Sequence, residues 1–114
     1  MLQEKEAQLN TAALAALIRA GTPMVVLDAR SGKYDDGRRI PGAKALNEQS
    51  SAQEVAGLIK SKDGLVVTYC ANLQCPASHK LAAHLKALGY TDVVEYPLGI
   101  QGWVEAGNAV EQVK

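Results

Sequence analysis

Apolar positions along the chain fall into two periods, and their alternation lays out the elements. From Thr11 to Ala20, Leu14, Leu17 and Ile18 form one helical stripe, with Asn10 or Thr11 as the cap and Gly21 as the stop. Met24-Val25-Val26-Leu27 follows as an unbroken apolar run ending in Asp28-Ala29-Arg30. Such a run predicts a strand covered on both faces. Ser31 to Arg39 is polar and without period, Ile40-Pro41-Gly42-Ala43 turns the chain, and a short strand is expected near Ala43 to Leu46. Ser50 or Ser51 caps a second helix, with Glu54 three residues after Ser51 as in a capping box, and Val55, Leu58 and Ile59 as its buried face. After the Lys62-Asp63-Gly64 turn comes a second buried run, Leu65 to Cys70. Leu81, Leu85 and Leu88 then mark a helix from Pro76 to Leu88 that Gly89 ends. Thr91 to Tyr96 reads as a strand and Leu98 to Ala106 as a last short helix carrying Trp103.

Helices alternating with buried strands, without repeats or linkers, predict one α/β domain with a mostly parallel sheet over residues 1–114. Residues 1 to about 9 are expected to be a flexible extension. Lys plus Arg and Asp plus Glu number twelve each, so the formal net charge is zero. That balance argues against nucleic acid or an anionic membrane as partner. No run approaches a transmembrane length and Met1 to Glu6 contains no apolar signal core, so the expected location is the cytoplasm; an export signal removed ahead of Met1 is the other reading.

The chemistry concentrates in Tyr69-Cys70-Ala71-Asn72-Leu73-Gln74-Cys75-Pro76, which holds both cysteines of the chain. Cys70 is placed at a strand end, facing a loop and a helix start where Pro76 suits the first helical position. Oriented amides from Ala71 to Cys75 and the helix dipole favour thiolate over thiol there, and the thiolate is the nucleophile. Two cysteines five positions apart are a reactive pair rather than a disulfide framework of a secreted domain. Five residues around a tight loop could bring the sulfurs together if the loop moves to meet the strict geometry of a disulfide; the other reading packs Cys75 inward at the helix start.

In three separated segments the chain resembles the single-domain rhodanese, or rhodanese-like sulfurtransferase, family. Val25 to Arg30 followed by Ile40-Pro41-Gly42-Ala43 is similar to its strand-Asp-x-Arg and Ile-Pro-Gly-Ala segments, Tyr69-Cys70 to its active-site segment, and Gly99 to Trp103 with Ala106-Gly107 to its C-terminal signature. The resemblance implies a mostly parallel five-stranded sheet flanked by helices on both faces. It also implies a persulfide on Cys70 as the sulfur carrier, cradled by the amides of Ala71, Asn72, Leu73, Gln74 and Cys75, with no metal or organic cofactor. Its partners would be a small sulfur donor and a thiol, cyanide-like or protein acceptor. Arg30 is a weaker candidate for substrate contact, and Cys75 is the candidate resolving thiol. The loop has neither charge nor glycine, which weakens the expectation of an anionic donor such as thiosulfate.

Several rivals remain in view. Cys70 and Cys75 cycling as dithiol and disulfide would make a redox protein, and a non-catalytic binding module is the non-enzymatic reading. Phosphatase chemistry needs an arginine to grip the oxyanion, and the loop has none, with Pro at position 76. A zinc site from Cys70, Cys75 and His79 lacks a supporting cluster, so His79 and His84 read as helix-surface residues. Arg38-Arg39 with Lys33 are weighed as an attractor for an anionic donor against a plain solvated loop.

Overall fold

Four strands, β1 (Val25–Asp28), β3 (Lys44–Ala45), β4 (Val66–Tyr69) and β5 (Val93–Tyr96), form a parallel sheet in the order β3-β1-β4-β5. The computed structural model describes residues 8–31 and 35–112. Each parallel pair needs a crossover, and α1 (Thr11–Arg19), α2 (Ala52–Leu58), α3 (Ala77–Ala87) and α4 (Gly99–Glu105) accompany the strands. Alternation along the strands explains the two-sided covering. Leu27, Val66 and Val93 pack with Val55, Leu81 and Leu85 from α2 and α3. Val26, Val67, Tyr69 and Tyr96 pack on the other face with Leu14, Ile100 and Trp103 from α1 and α4.

Local signals account for the helix ends. Asn10 caps α1 by accepting from the Ala13 amide, and Ser51 and Glu54 complete the capping box of α2. Gly89 follows α3 with φ of 102°, a left-handed conformation suited to glycine. α3 begins at Ala77, with Pro76 in the cap position rather than the first turn, and no side chain caps it. Trp103 is a core anchor: it meets Tyr96 edge to face with centroids 6.4 Å apart and donates from Nε1 to the Ala109 carbonyl at 2.7 Å.

The sheet departs from the expected five strands, having four among the described residues. At the fifth position Gln8 makes one isolated parallel bridge to Glu95, and the Leu9 amide donates to the Glu95 carbonyl at 2.8 Å. Asn10 already caps α1, so among the described residues only Gln8 and Leu9 meet this edge. The rest of the expected N-terminal extension lies outside the described residues. A separate antiparallel ribbon joins β2 (Arg38–Arg39) to β6 (Glu111–Gln112). No described helix is long and apolar enough to cross a membrane.

Candidate active site

Parallel strands end together, and the C-terminal edge is where such sheets offer a crevice. A pocket of about 450 Å³ opens there, with Ala29 and Arg30 after β1 on its wall and Cys70, Ala71, Asn72 and Gln74 after β4. Cys75, Pro76 and the start of α3 complete that wall. Cys70 is 2% exposed. Its place is fixed by backbone on both sides. The Tyr69 carbonyl accepts from the Ala29 amide at 2.8 Å, while the Cys70 and Ala71 carbonyls accept from Ile100 and Gln101 amides of α4 at 3.0 Å each. Gly99 makes that approach possible. Its φ is 67°, and a Cβ on it would lie 2.4 Å from the Cys70 carbonyl oxygen.

Cys70 and Cys75 form a disulfide with their Cα atoms 6.2 Å apart, so the loop closes over five positions, a pairing that the spacing alone left open. Asn72 shapes the closure. Its Oδ1 accepts from the Gln74 amide at 3.0 Å and its carbonyl from the Cys75 amide at 3.1 Å, while Nδ2 donates to Gln101 Oε1 at 3.2 Å. Two of the five loop amides expected to face sulfur are therefore engaged within the loop in this disulfide form. Buried Thr68 donates to the Ser78 carbonyl at 3.0 Å and ties β4 to the first turn of α3. Leu73 does not line the main pocket. It is 64% exposed and borders a second cavity of about 370 Å³ with Cys75, Pro76 and Pro97.

Arg30 borders the pocket, but its guanidinium is committed to the fold. It donates to Asp28 from Nε and from Nη2, the latter at 2.8 Å, to Asp36 at 3.1 Å, and to the Arg38 carbonyl. Asp28, fully buried, also accepts from the Arg30 amide and from Arg39 Nη1 at 3.3 Å. Arg39 completes the cluster by binding both oxygens of Asp35 at 2.7 and 2.9 Å. Burial opposes the charge on Arg30, yet hydrogen bonds and the charges of Asp28 and Asp36 outweigh it and raise its pKa. Asp36 is held at about 2, first by the Arg38 amide and then, against partial desolvation, by the Arg38 and Arg30 guanidinium groups. Arg39 is thus neither a solvated loop residue nor a donor attractor, because the buried carboxylate of Asp28 requires it. Lys33 lies outside the described residues. Tyr69 belongs to the same interior: its hydroxyl accepts from the Ile40 amide at 3.0 Å, and burial, then the neighbouring Asp28 charge, pushes its pKa up.

Two charged residues that the sequence did not single out also line the main pocket, Glu48 before α2 and Lys80 in the first turn of α3. Only the family of elements around the loop could have flagged them, since a single charged residue before a helix has no pattern. The histidines are more engaged than helix-surface residues need be. His79 Nδ1 lies 3.1 Å from Glu95 Oε2, and His84 Nε2 lies 2.8 Å from the Ser50 carbonyl. No metal-binding group of three or more His, Cys, Asp or Glu side chains occurs among the described residues.

A family model described as the rhodanese-like domain matches residues 10–106. No curated protein matches the sequence. Among solved structures, the BH2092 protein of Bacillus halodurans superposes with a TM-score of 0.83 at 26% identity, covering 94% of this chain and 77% of that one. A thiosulfate sulfurtransferase from Pseudomonas aeruginosa shares the fold with a TM-score of 0.75 at 23% identity, over 96% of this chain and 21% of that one. A 3-mercaptopyruvate sulfotransferase from Escherichia coli does so with a TM-score of 0.76 at 20% identity, over 95% of this chain and 52% of that one.

Proposed function

Because this chain belongs to the rhodanese-like domain family, we propose that it is a sulfurtransferase that moves sulfane sulfur from a small donor to a thiophilic acceptor through a persulfide on Cys70. The observation that carries this reading is the seating of Cys70 at the floor of the sheet-edge pocket, within bonding reach of a second cysteine. In the reduced protein the Cys70 thiolate attacks the outer sulfur of the donor, the donor bond to that sulfur breaks, and the remainder leaves with the electron pair. A thiol or cyanide then takes the sulfur and returns the thiolate. Amides of Ala71, Asn72 and Leu73, together with the uncapped start of α3, are the groups that this reading assigns to stabilise negative sulfur.

Cys75 provides an internal acceptor. Its thiolate attacks Cys70 Sγ of the persulfide, the sulfur–sulfur bond of the persulfide breaks, and hydrosulfide leaves as the Cys70–Cys75 disulfide forms. The disulfide in the structure also favours a second reading, a dithiol–disulfide redox protein that never carries sulfane sulfur. Intact mass of the reduced protein after exposure to sulfane-sulfur donors separates the two. One added sulfur on Cys70, removable by cyanide, is the expected result. Loss of two hydrogens with no sulfur-loaded species at any time, including in Cys75→Ser, would replace sulfur transfer with the redox reading. No mass change with any donor would leave a binding module.

A further inference from the structure

The charges lining the main pocket bear on which donor enters it. Arg30 offers none: its side chain is 2% exposed and its guanidinium is bonded to Asp28, Asp36 and the Arg38 carbonyl. Lys80 and Glu48 are different. Both are exposed, they come from separate elements, and neither side chain makes a hydrogen bond or ion pair with another described residue. The remaining wall is uncharged, with Ala29, Ala71, Pro76 and Ala77 as apolar surface and Ser31, Asn72 and Gln74 as polar groups. A small inorganic dianion entering this mouth meets one cation and one anion, so attraction and repulsion offset. A donor bearing both an ammonium and a carboxylate meets a partner for each. Its size fits too, since about 450 Å³ lies within the range of pockets that hold organic ligands rather than a five-atom ion.

Resting on the Cys70 persulfide reading, we propose that the sulfur donor is the persulfide of a zwitterionic thiol, an amino acid or short peptide, with its carboxylate toward Lys80 and its ammonium toward Glu48. The Cys70 thiolate attacks the terminal sulfur of R–S–SH, and that sulfur with its proton stays on Cys70. The donor's internal S–S bond breaks, and R–S⁻ leaves and takes a proton from water. No outside oxidant or reductant is needed, because one sulfur–sulfur bond replaces another.

The test is single-turnover loading of the reduced full chain, followed by intact mass, with cysteine persulfide, N-acetylcysteine persulfide and thiosulfate as probes. The two persulfides differ in the ammonium, and Glu48→Gln and Lys80→Gln remove the matching charges one at a time. Expected is a cysteine over N-acetylcysteine preference in the original protein that falls about three- to fivefold in Glu48→Gln, the scale of one exposed ion pair. Lys80→Gln slows both persulfides by a similar factor and leaves their ratio alone. Glu48→Gln also improves loading from thiosulfate, by removing the repelling carboxylate. A cysteine to N-acetylcysteine ratio unchanged by Glu48→Gln, with Cys70 still loading, overturns the donor assignment and leaves the persulfide reading standing. Failure of all three probes to load Cys70 overturns that underlying reading, and the donor assignment with it.

Discussion

Replacing Gly99 with alanine tests whether backbone contact between α4 and the loop is what positions Cys70. The added Cβ would lie 2.4 Å from the Cys70 carbonyl oxygen, 2.7 Å from the Ala71 carbonyl carbon and 2.8 Å from its oxygen, and all three are backbone atoms with no rotamer to yield. Alanine at φ of 67° costs about 1–2 kcal/mol by itself. Relief of the overlap then has to separate α4 from the loop and weaken two hydrogen bonds, Ile100 N–H to Cys70 and Gln101 N–H to Ala71, at about 0.5–1.5 kcal/mol each. Together these give a destabilisation of about 2–5 kcal/mol, read as a lower urea midpoint with an unchanged slope. Sulfur loading of Cys70 under conditions where the variant is folded should slow at least about tenfold, because small displacements of a reacting atom are expensive. Gly57→Ala is the control. It lies within α2 with nothing within 4 Å of the new Cβ, and it should stabilise by about 0.5–1 kcal/mol. A Gly99→Ala protein with unchanged midpoint and loading rate would refute the reasoning.

Asp28→Asn removes the buried carboxylate that Arg30 and Arg39 share, leaving two buried guanidinium groups short of charge; a loss of about 3–5 kcal/mol in urea unfolding is expected. Asp36 has its pKa lowered to about 2 on folding, so its contribution is fully present above the ordinary value of 3.8 and disappears as the pH falls toward 2. Melting curves of the original protein and Asp36→Asn should therefore differ at neutral pH and converge in acid, and a constant difference across that range would contradict the assignment. Cys75→Ser should keep the Cys70 persulfide but abolish spontaneous sulfide release in the absence of added acceptor, measured by a sulfide electrode; release at the original rate would remove Cys75 from the reaction.

Local chemistry made much of this fold legible. Ser51 and Glu54 announce a helix start whatever lies around them, and the unbroken run at Val66 to Tyr69 is what a strand covered on both faces requires. The place of Cys70 followed from being at the end of that run, while the spacing to Cys75 allowed a link without deciding between it and inward packing. What stayed hidden depends on partners far along the chain. β2 and β6 are two residues each and meet across Arg38↔Gln112 and Arg39↔Glu111, too short for any period to show. Arg39 looked like part of a solvated charged loop because its burial is imposed by Asp28, eleven residues away in sequence and placed by another strand. Glu48 and Lys80 escaped for a related reason, since their common pocket exists only once α2 and α3 stand on the same face.

The bridge at Gln8 has a consequence for how this molecule behaves among copies of itself. Sheets with apolar centres are open to strand addition wherever a long edge shows unpaired amides and carbonyls. Here the β5 edge meets Gln8 and the Leu9 amide takes the Glu95 carbonyl, while the opposite edge is β3, two residues long and exposed, with Lys44 as one of them. A neighbouring chain therefore finds one border bridged at Glu95 and the other short and charged. Both features, the Gln8 contact on one border and the short, lysine-bearing strand on the other, are of the kind that disfavours self-templated growth of a sheet.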